Sequence, residues 1–413
     1  MIKKIQHTLY VLFILGASLL GRAVTASETW ALVKVPITDL TSKDLTYFED
    51  LPYAYYHKFP YSPEGGTNQC LRLHQLKFNE LVKIHDVSEN GVRCEVESFF
   101  CRQNETDSKT FWALKEDFLF LNDLSPDTEL VSHIPPPYKI GQSPSLSNHN
   151  VLTLTQPWLD QETDTTYSAG TRFVRNASQD TANSYAISMI DVQLGTSVVK
   201  HIDRSLALVT YPQDPSKAAE LFVQLLKKWA TTQEGILPYV WGGCSHTGNR
   251  ASDDFSLVSY KDISTFWQRE PVPMGTFSGF DCSGLVLCAA QICGIPYFFK
   301  NTTTMLACMK PLKEGKTLKE GDLIWSPRHV MVVSDREKNM LIEAVGYSAG
   351  YGKVHEISVD KAFKGIHNLS ELTTAYEQQT PLERLNSKGV VSTTTPFTIK
   401  ILSLKSLWKT IEH

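Results

Sequence analysis

The chain has 413 residues, of which 42% are hydrophobic, and its formal net charge at pH 7 is −4. A chain of this length and composition can bury a sizeable hydrophobic core, and its length predicts two or three domains. The slightly acidic balance and the lack of a basic run interleaved with aromatic residues argue against a nucleic-acid-binding protein.

The first 26 residues have the three parts of a secretory signal peptide. Lys3 and Lys4 form a basic start, residues 9–20 are apolar, and residues 24–26 match a small-residue cleavage site. We therefore predict that residues 1–26 are removed and that the protein is exported to the periplasm or to the extracellular cell wall. An uncleaved membrane anchor is the alternative. No later segment is apolar for long enough to span a bilayer.

Two regions of short strands follow the predicted signal peptide. Between residues 27 and 124, β-rich segments alternate with polar turns and cover residues 29–37, 81–84, 92–96 and 111–114. Residues 125–150 are rich in proline, serine and polar residues, which predicts a linker. Residues 151–211 contain further β-rich segments, at 171–174 and 185–190. We predict one small all-β barrel in each of the two regions.

The second half of the chain combines helices and strands. Residues 219–230 have apolar side chains at helical spacing, and the predicted strands are 323–326, 329–334 and 340–345. We interpret the long connection 244–279 as a surface loop or, alternatively, as a lid that shapes a substrate site. Residues 375–413 form a C-terminal extension without a recognisable motif, and we predict that residues 401–408 pack as a short strand or helix.

One cysteine stands out from the remaining seven by its surroundings. Cys282 lies in Asp-Cys-Ser-Gly at 281–284, after a loop that contains Gly279 and before an apolar run of helical composition. It is therefore predicted at or near a helix N-terminus, where backbone N–H groups favour a negative charge. Such a position can lower the pKa of a cysteine from about 8.5 to roughly 4–7. A buried structural thiol is the alternative interpretation.

The predicted hairpin 329–345 contains a candidate base with a candidate partner. His329 and Glu343 are equidistant in sequence from Arg336, which lies in the predicted turn. If the hairpin is symmetric, the two side chains are opposite neighbours on one face. Glu343 would then accept from one imidazole nitrogen while the other nitrogen faces Cys282, which is the arrangement of a catalytic triad. A surface ion pair is the alternative for Glu343.

Four motifs occur in a fixed order: Tyr-Val-Trp-Gly-Gly at 239–243, Asp-Cys-Ser-Gly at 281–284, Gly-Asp-Leu at 321–323, and His-Val at 329–330 within an apolar strand. In this order they resemble the NlpC-type cell-wall cysteine peptidases, over residues 216–374. The resemblance implies an α+β, papain-like catalytic domain, in which the helix that bears the nucleophile packs on an antiparallel sheet.

The strand region 27–124 resembles the first bacterial SH3-like domain often found ahead of NlpC-type domains, mainly at residues 35–40 and 76–80. We therefore interpret the regions 27–124 and 151–211 as two small SH3-like barrels. By this resemblance, Glu80 would meet the free L-Ala amine of a substrate peptide. The aromatic partner of such an amine pocket is less clear, because Phe111 and Trp112 stand where a tyrosine is more usual.

The resemblance to NlpC-type domains also implies roles around the nucleophile. Asp281 and Ser283 would contact the substrate, and Tyr239 would help to hold the oxyanion together with the backbone N–H of Cys282. The family most often has a second histidine as the third triad member. Glu343 departs from this pattern and adds a negative charge, which favours a protonated imidazole.

The predicted function is therefore that of an exported cysteine endopeptidase acting on peptidoglycan (murein) stem peptides. By the resemblance, the bond cut is γ-D-glutamyl to a diamino acid, either meso-diaminopimelate or lysine. An amidase or acyltransferase on the same fold is one alternative. A non-catalytic cell-wall binding protein with a vestigial triad is another.

The other cysteines and the histidines do not predict a metal site. No pair has metal-ligand spacing, so we expect neither a metal nor another cofactor. Cys288, Cys293 and Cys308 are interpreted as core thiols. An exported protein could oxidise one pair among Cys70, Cys94 and Cys101, and the sequence does not distinguish which.

Overall fold

The computed structural model of the chain describes residues 29–42, 72–96, 101–103, 106–123, 132–138, 150–191, 196–230, 236–248, 278–296, 298, 300–346, 349–392 and 395–410. The predicted signal peptide (1–26) lies outside these residues. So do most of the predicted linker (125–150) and most of the long connection (244–279). The described part of the chain is a mixed structure of helices and sheets.

The first β-rich region forms a seven-stranded antiparallel sheet in the order β3-β2-β8-β5-β4-β1-β9. Its core consists of alternating apolar side chains such as Leu40, Leu76, Val82 and Phe111. Strands β6 and β7 form a separate hairpin. Among the described residues, β3 and β9 remain edge strands, so these pairings do not close a barrel, and the SH3-like barrel stays a prediction. The strands are β1 (Thr29–Val33), β2 (Ile37–Thr41), β3 (Arg72–Lys77), β4 (Leu81–Val87), β5 (Gly91–Glu95), β6 (Cys101–Gln103), β7 (Thr106–Ser108), β8 (Thr110–Leu114) and β9 (Phe118–Phe120).

The second β-rich region forms a five-stranded sheet, in the order β15-β14-β13-β10-β16, and a hairpin of β11 and β12. Phe78, which follows β3 of the first sheet, packs into the core of this second region. Its ring lies 4.9 Å from Tyr167 and 6.0 Å from Phe173, measured between centroids. The two regions therefore share buried apolar contacts. The strands are β10 (Val151–Leu154), β11 (Trp158–Asp160), β12 (Thr165–Tyr167), β13 (Arg172–Arg175), β14 (Ser184–Asp191), β15 (Thr196–Asp203) and β16 (Ala207–Leu208).

The third region is built on a five-stranded antiparallel sheet in the order β22-β21-β20-β19-β23. The predicted helix at 219–230 and the three predicted strands are confirmed. The bounds are α1 (Pro215–Ala230), β17 (Cys244–Ser245), β18 (Gly279–Phe280), α2 (Cys282–Ile292), α3 (Thr302–Cys308), β19 (Leu323–Ser326), β20 (His329–Asp335), β21 (Met340–Val345), β22 (Lys353–Ser358), α4 (Val359–Ala362), α5 (Leu369–Glu377) and β23 (Lys400–Leu402).

Alternation along the central strands gives this sheet two buried faces. Val332 and Ile342 join the core formed with α1 and α2, whereas Met331, Val333 and Leu341 join the core formed with α4 and α5. Among the described residues, no helix combines the length and the apolar character needed to cross a bilayer.

The C-terminal segment 375–413 contributes to the same sheet. Leu402 of β23 pairs with Leu323 of β19, and a 3₁₀ helix follows at Leu404–Thr410. The prediction of a short strand or helix at residues 401–408 is confirmed. The segment therefore belongs structurally to the region that holds the candidate nucleophile.

Candidate active site

Cys282 is the first residue of α2, as predicted, and the preceding Asp281 is the N-cap. The Asp281 carboxylate accepts a hydrogen bond from the Gly284 N–H at 2.6 Å and from the Ser283 hydroxyl at 2.9 Å. An aspartate N-cap satisfies backbone donors that the first turn of a helix leaves free. Every residue of α2 is buried, so the helix holds the thiol in one place.

The Cys282 thiol is 9% exposed, and its Sγ lies 3.9 Å from the Arg328 carbonyl oxygen. Burial and the charge of Asp281 raise the pKa of this thiol to about 12, although the backbone of Val330 and the charge of Lys300 act in the opposite direction. The expectation of a lowered pKa for Cys282 is therefore wrong. Burial removes water from the thiol, and this raises its pKa more than a position at a helix N-terminus lowers it. A protonated resting thiol needs a base before it can act as a nucleophile.

His329 lies directly between the two residues whose backbone faces Cys282, namely Arg328 and Val330. Its Nε2 lies 2.6 Å from Oε2 of Glu343. Because Nε2 contacts Glu343, Nδ1 is the ring nitrogen that is available to interact with the Cys282 thiol. The structure thus places Cys282 beside the backbone that flanks His329, and His329 in contact with Glu343.

The hairpin register differs from the symmetric one that we predicted. Val332 pairs with Ile342, and the register shifts at a bulge between Val333 and Asp335. Continuing this pairing places Met331, not His329, opposite Glu343. The expected contact nevertheless forms because positions two residues apart on a strand share a face, so His329 and Glu343 are diagonal neighbours.

Two partners of Glu343 were missed by the sequence analysis. His355 lies directly opposite Glu343 on β22 and places its Nε2 3.1 Å from Oε1. Arg384, in the C-terminal segment, forms an ion pair with the same carboxylate. Burial alone would raise the pKa of Glu343, but Arg384, His329 and His355 hold it well below its ordinary value. A prediction that β21 pairs with β22 could have indicated the contact between Glu343 and His355. No local sequence pattern indicates the contact with Arg384.

Asp281 and Ser283, predicted to contact the substrate, make contacts within the protein. The second oxygen of Asp281 lies 2.9 Å from the ammonium of Lys300, and Ser283 is 4% exposed. Lys300 also donates to the carbonyl oxygens of Gly242 at 2.6 Å and Leu73 at 3.2 Å. This buried lysine, which the sequence analysis also missed, connects the N-cap of α2, the 239–243 motif and strand β3.

The 239–243 motif lies against the segment that precedes Cys282. Tyr239 is half-buried and forms a bridge with Phe280, two residues before Cys282. A Cβ atom on Gly243 would lie 2.4 Å from the Gly279 carbonyl oxygen, so only glycine allows this approach. Gly242 lies in a tight turn, where its φ is +71°.

Strand β3 of the first sheet holds the residues that follow this motif. The side-chain oxygen of Gln75 accepts from the Cys244 N–H at 3.0 Å and from the Ser245 hydroxyl at 2.7 Å. Glu80, the predicted amine contact, lies three residues beyond β3. Its carboxylate accepts from the Lys77 N–H at 3.3 Å and lies 3.7 Å from the Lys77 ammonium.

The remaining cysteines belong to the core or lie outside the described residues. Cys288 and Cys293 are buried and Cys308 is half-buried, which confirms two core thiols and a partly exposed third. Cys94 is a buried free thiol, whereas Cys70 and the side chain of Cys101 lie outside the described residues. Within the described ranges, no three histidine, cysteine or acidic side chains are grouped closely enough to hold a metal ion.

No protein-family model matches the chain, and no curated protein matches it. Similar solved structures include an NlpC/P60 family protein from Bacillus cereus ATCC 10987, at 15% identity and a TM-score of 0.48, covering 80% of this chain and 94% of that one. NlpC2 from Trichomonas vaginalis is 12% identical, with a TM-score of 0.29, covering 81% of this chain and 94% of that one. The peptidoglycan hydrolase RipB from Mycobacterium tuberculosis is 27% identical, with a TM-score of 0.22, over 36% of this chain and 63% of that one. Each of these TM-scores is below 0.5, so we base the proposed function on the site itself.

Proposed function

We propose that the protein is an exported cysteine endopeptidase that cleaves peptidoglycan stem peptides. The observation that carries the proposal is a buried cysteine at the first position of a helix, beside a histidine whose ring is held by a carboxylate. The four sequence motifs in their order support the cell-wall substrate. They also support cleavage between γ-D-glutamate and meso-diaminopimelate or lysine.

The reaction begins with transfer of the Cys282 proton to Nδ1 of His329. The thiolate then attacks the carbonyl carbon of the scissile amide, and a tetrahedral intermediate forms. The backbone N–H of Cys282 and the Tyr239 side chain stabilise its oxyanion. His329 returns the proton to the leaving amine, which leaves a thioester acyl-enzyme. Water, deprotonated by the same histidine, then releases the acid and restores the thiol.

Glu343 orients the ring of His329 in this mechanism. Glu343→Gln keeps the size of the side chain and a hydrogen-bond acceptor but removes the charge. We expect turnover to fall on the order of 10²–10⁴-fold, as for the carboxylate of other triads. An unchanged rate and pH–rate profile in Glu343→Gln would contradict the orienting role.

The test uses two defined tripeptides, L-Ala-γ-D-Glu-meso-diaminopimelate and its lysine analogue, together with intact sacculi. Mass spectrometry of the products identifies the bond that is cut. Cys282→Ala and His329→Ala should abolish cleavage while the circular dichroism spectrum is unchanged, and Cys308→Ala, at a half-buried thiol, is the matched control.

Wild-type-like cleavage by Cys282→Ala would end the proposal. Products of a different amide bond would indicate the amidase alternative. Binding to sacculi that survives Cys282→Ser, without cleavage by the wild type, would indicate a wall-binding protein.

A role for Glu80 in binding a substrate amine is part of the same proposal. It requires that the Glu80 carboxylate exchange Lys77 for the amine of the peptide. The enzyme should then prefer peptides with a free N-terminal L-Ala over stems attached to glycan, and Glu80→Ala should reduce this preference. Equal cleavage of free and attached stems by the wild type would contradict it.

A further inference from the structure

Glu343 contacts other charged or titratable side chains besides the histidine that it would orient. The titratable and charged groups that face it are His329 on β20, His355 on β22, Tyr351 before β22, and Arg384 from the C-terminal segment. The side chain of Glu343 is fully buried, so water does not screen these interactions. Arg384 is the permanently charged member of this group.

Arg384 is held in place independently of Glu343. Its Nη1 donates to the Ala362 carbonyl oxygen at 3.0 Å, and its guanidinium lies 5.5 Å from the centre of the Phe363 ring. The Leu385 N–H also donates to Ala362, at 3.0 Å, and the Ser392 N–H donates to the Arg384 carbonyl at 2.8 Å. The arginine therefore presents its charge to the carboxylate from a fixed position.

A buried carboxylate beside an imidazole has two opposite effects on a base. The hydrogen bond orients the ring, which helps catalysis, but the negative charge also favours the imidazolium form, which cannot accept the proton of Cys282. A second histidine in the third position would orient the ring without the charge. A glutamate in this position needs a positive partner if the histidine is to remain a base near neutral pH.

We propose that Arg384 is a positioning residue of the site, which neutralises Glu343 so that the carboxylate orients His329 without holding it as imidazolium. The inference rests on the proposed function, since it assigns His329 the role of base. It extends the site to residue 384, in a segment that carries no sequence motif. It also accounts for a glutamate where NlpC-type domains most often have a second histidine.

The experiment compares Arg384→Gln, which keeps an amide donor but loses the charge, with Arg384→Lys, which keeps the charge. In Arg384→Gln, we expect the acid limb of the kcat/KM–pH profile to shift to higher pH by about 1 unit. Turnover at acidic pH should therefore fall about tenfold. The alkaline plateau should change little. Arg384→Lys should keep the acid limb within a few tenths of a unit.

The charge dependence is tested in a second background. Glu343→Gln should move the acid limb to lower pH, and adding Arg384→Gln removes the opposite charge, so the double variant should return the acid limb to about its wild-type position. An acid limb in the double variant that stays where Arg384→Gln alone places it would overturn the proposal. So would a loss of thermal stability and of rate at all pH values without a change in the profile, because that is the result of a merely structural role.

A substrate-independent measurement separates this inference from the proposed function. Histidine side-chain NMR follows the pH at which the His329 ring gains its proton, with its signals assigned by their loss in His329→Gln. The midpoint should lie at higher pH in Arg384→Gln than in the wild type, even if no stem peptide is cleaved. An unchanged midpoint would overturn the role of Arg384 and leave the peptidase proposal to be decided by its own test.

Discussion

Replacing Lys300 with methionine tests what stabilises the N-terminus of α2, the helix that begins at the candidate nucleophile Cys282. The Lys300 side chain is 2% exposed and that of Asp281 14%, and the two are paired at 2.9 Å. Lys300→Met keeps the length of the side chain but removes the ammonium that pairs with the second oxygen of Asp281 and donates to the carbonyl oxygens of Gly242 and Leu73. Breaking a buried ion pair typically costs 3–5 kcal/mol, and the partial exposure of Asp281 places the expected loss at the lower end, about 3 kcal/mol.

The measurement is urea unfolding, followed by tryptophan fluorescence and by circular dichroism. Two probes are needed because a chain of several regions can depart from two-state behaviour. Lys316→Met, at an exposed lysine, is the matched control and should change the free energy of unfolding by less than about 0.5 kcal/mol. A loss in Lys300→Met no larger than in the control would refute the reasoning. Turnover should fall as well, since Asp281 both caps α2 and precedes Cys282.

Two further predictions concern the first sheet. Gln75→Leu leaves the buried Cys244 N–H without its acceptor and removes the 2.7 Å acceptor of the Ser245 hydroxyl, which keeps a 3.4 Å contact with the Ser278 hydroxyl. The unsatisfied N–H should cost about 1–3 kcal/mol, which urea unfolding would detect. Burial raises the pKa of Asp117 to about 7, so the native state holds a proton that the unfolded state releases above about pH 4. Wild-type stability should therefore fall as the pH rises from about 4 to about 7, and Asp117→Asn should lose this dependence; parallel pH profiles of the two proteins would contradict it.

Much of the site could be predicted because its signals are local. The glycine-containing loop, the Asp281 cap and the apolar run after it indicate a helix that begins at Cys282, and the structure has that helix. Alternation and a polar turn predict the strands that carry His329 and Glu343, and both strands are present. The contact between the two residues was expected for a register that the bulge changes, yet it survives because strand periodicity keeps them on one face.

The sequence by itself determined the elements and the chemical identity of the candidate site, because capping, periodicity and turn formation act over a few residues. Only the tertiary structure decided the charge environment of that site. Arg384 reaches Glu343 across 41 residues of sequence, and Gln75 reaches Cys244 across 169. The direction of the Cys282 pKa shift likewise depends on how much water the packed chain excludes. Burial and long-range ion pairs are properties of the folded chain as a whole, and no local pattern encodes them.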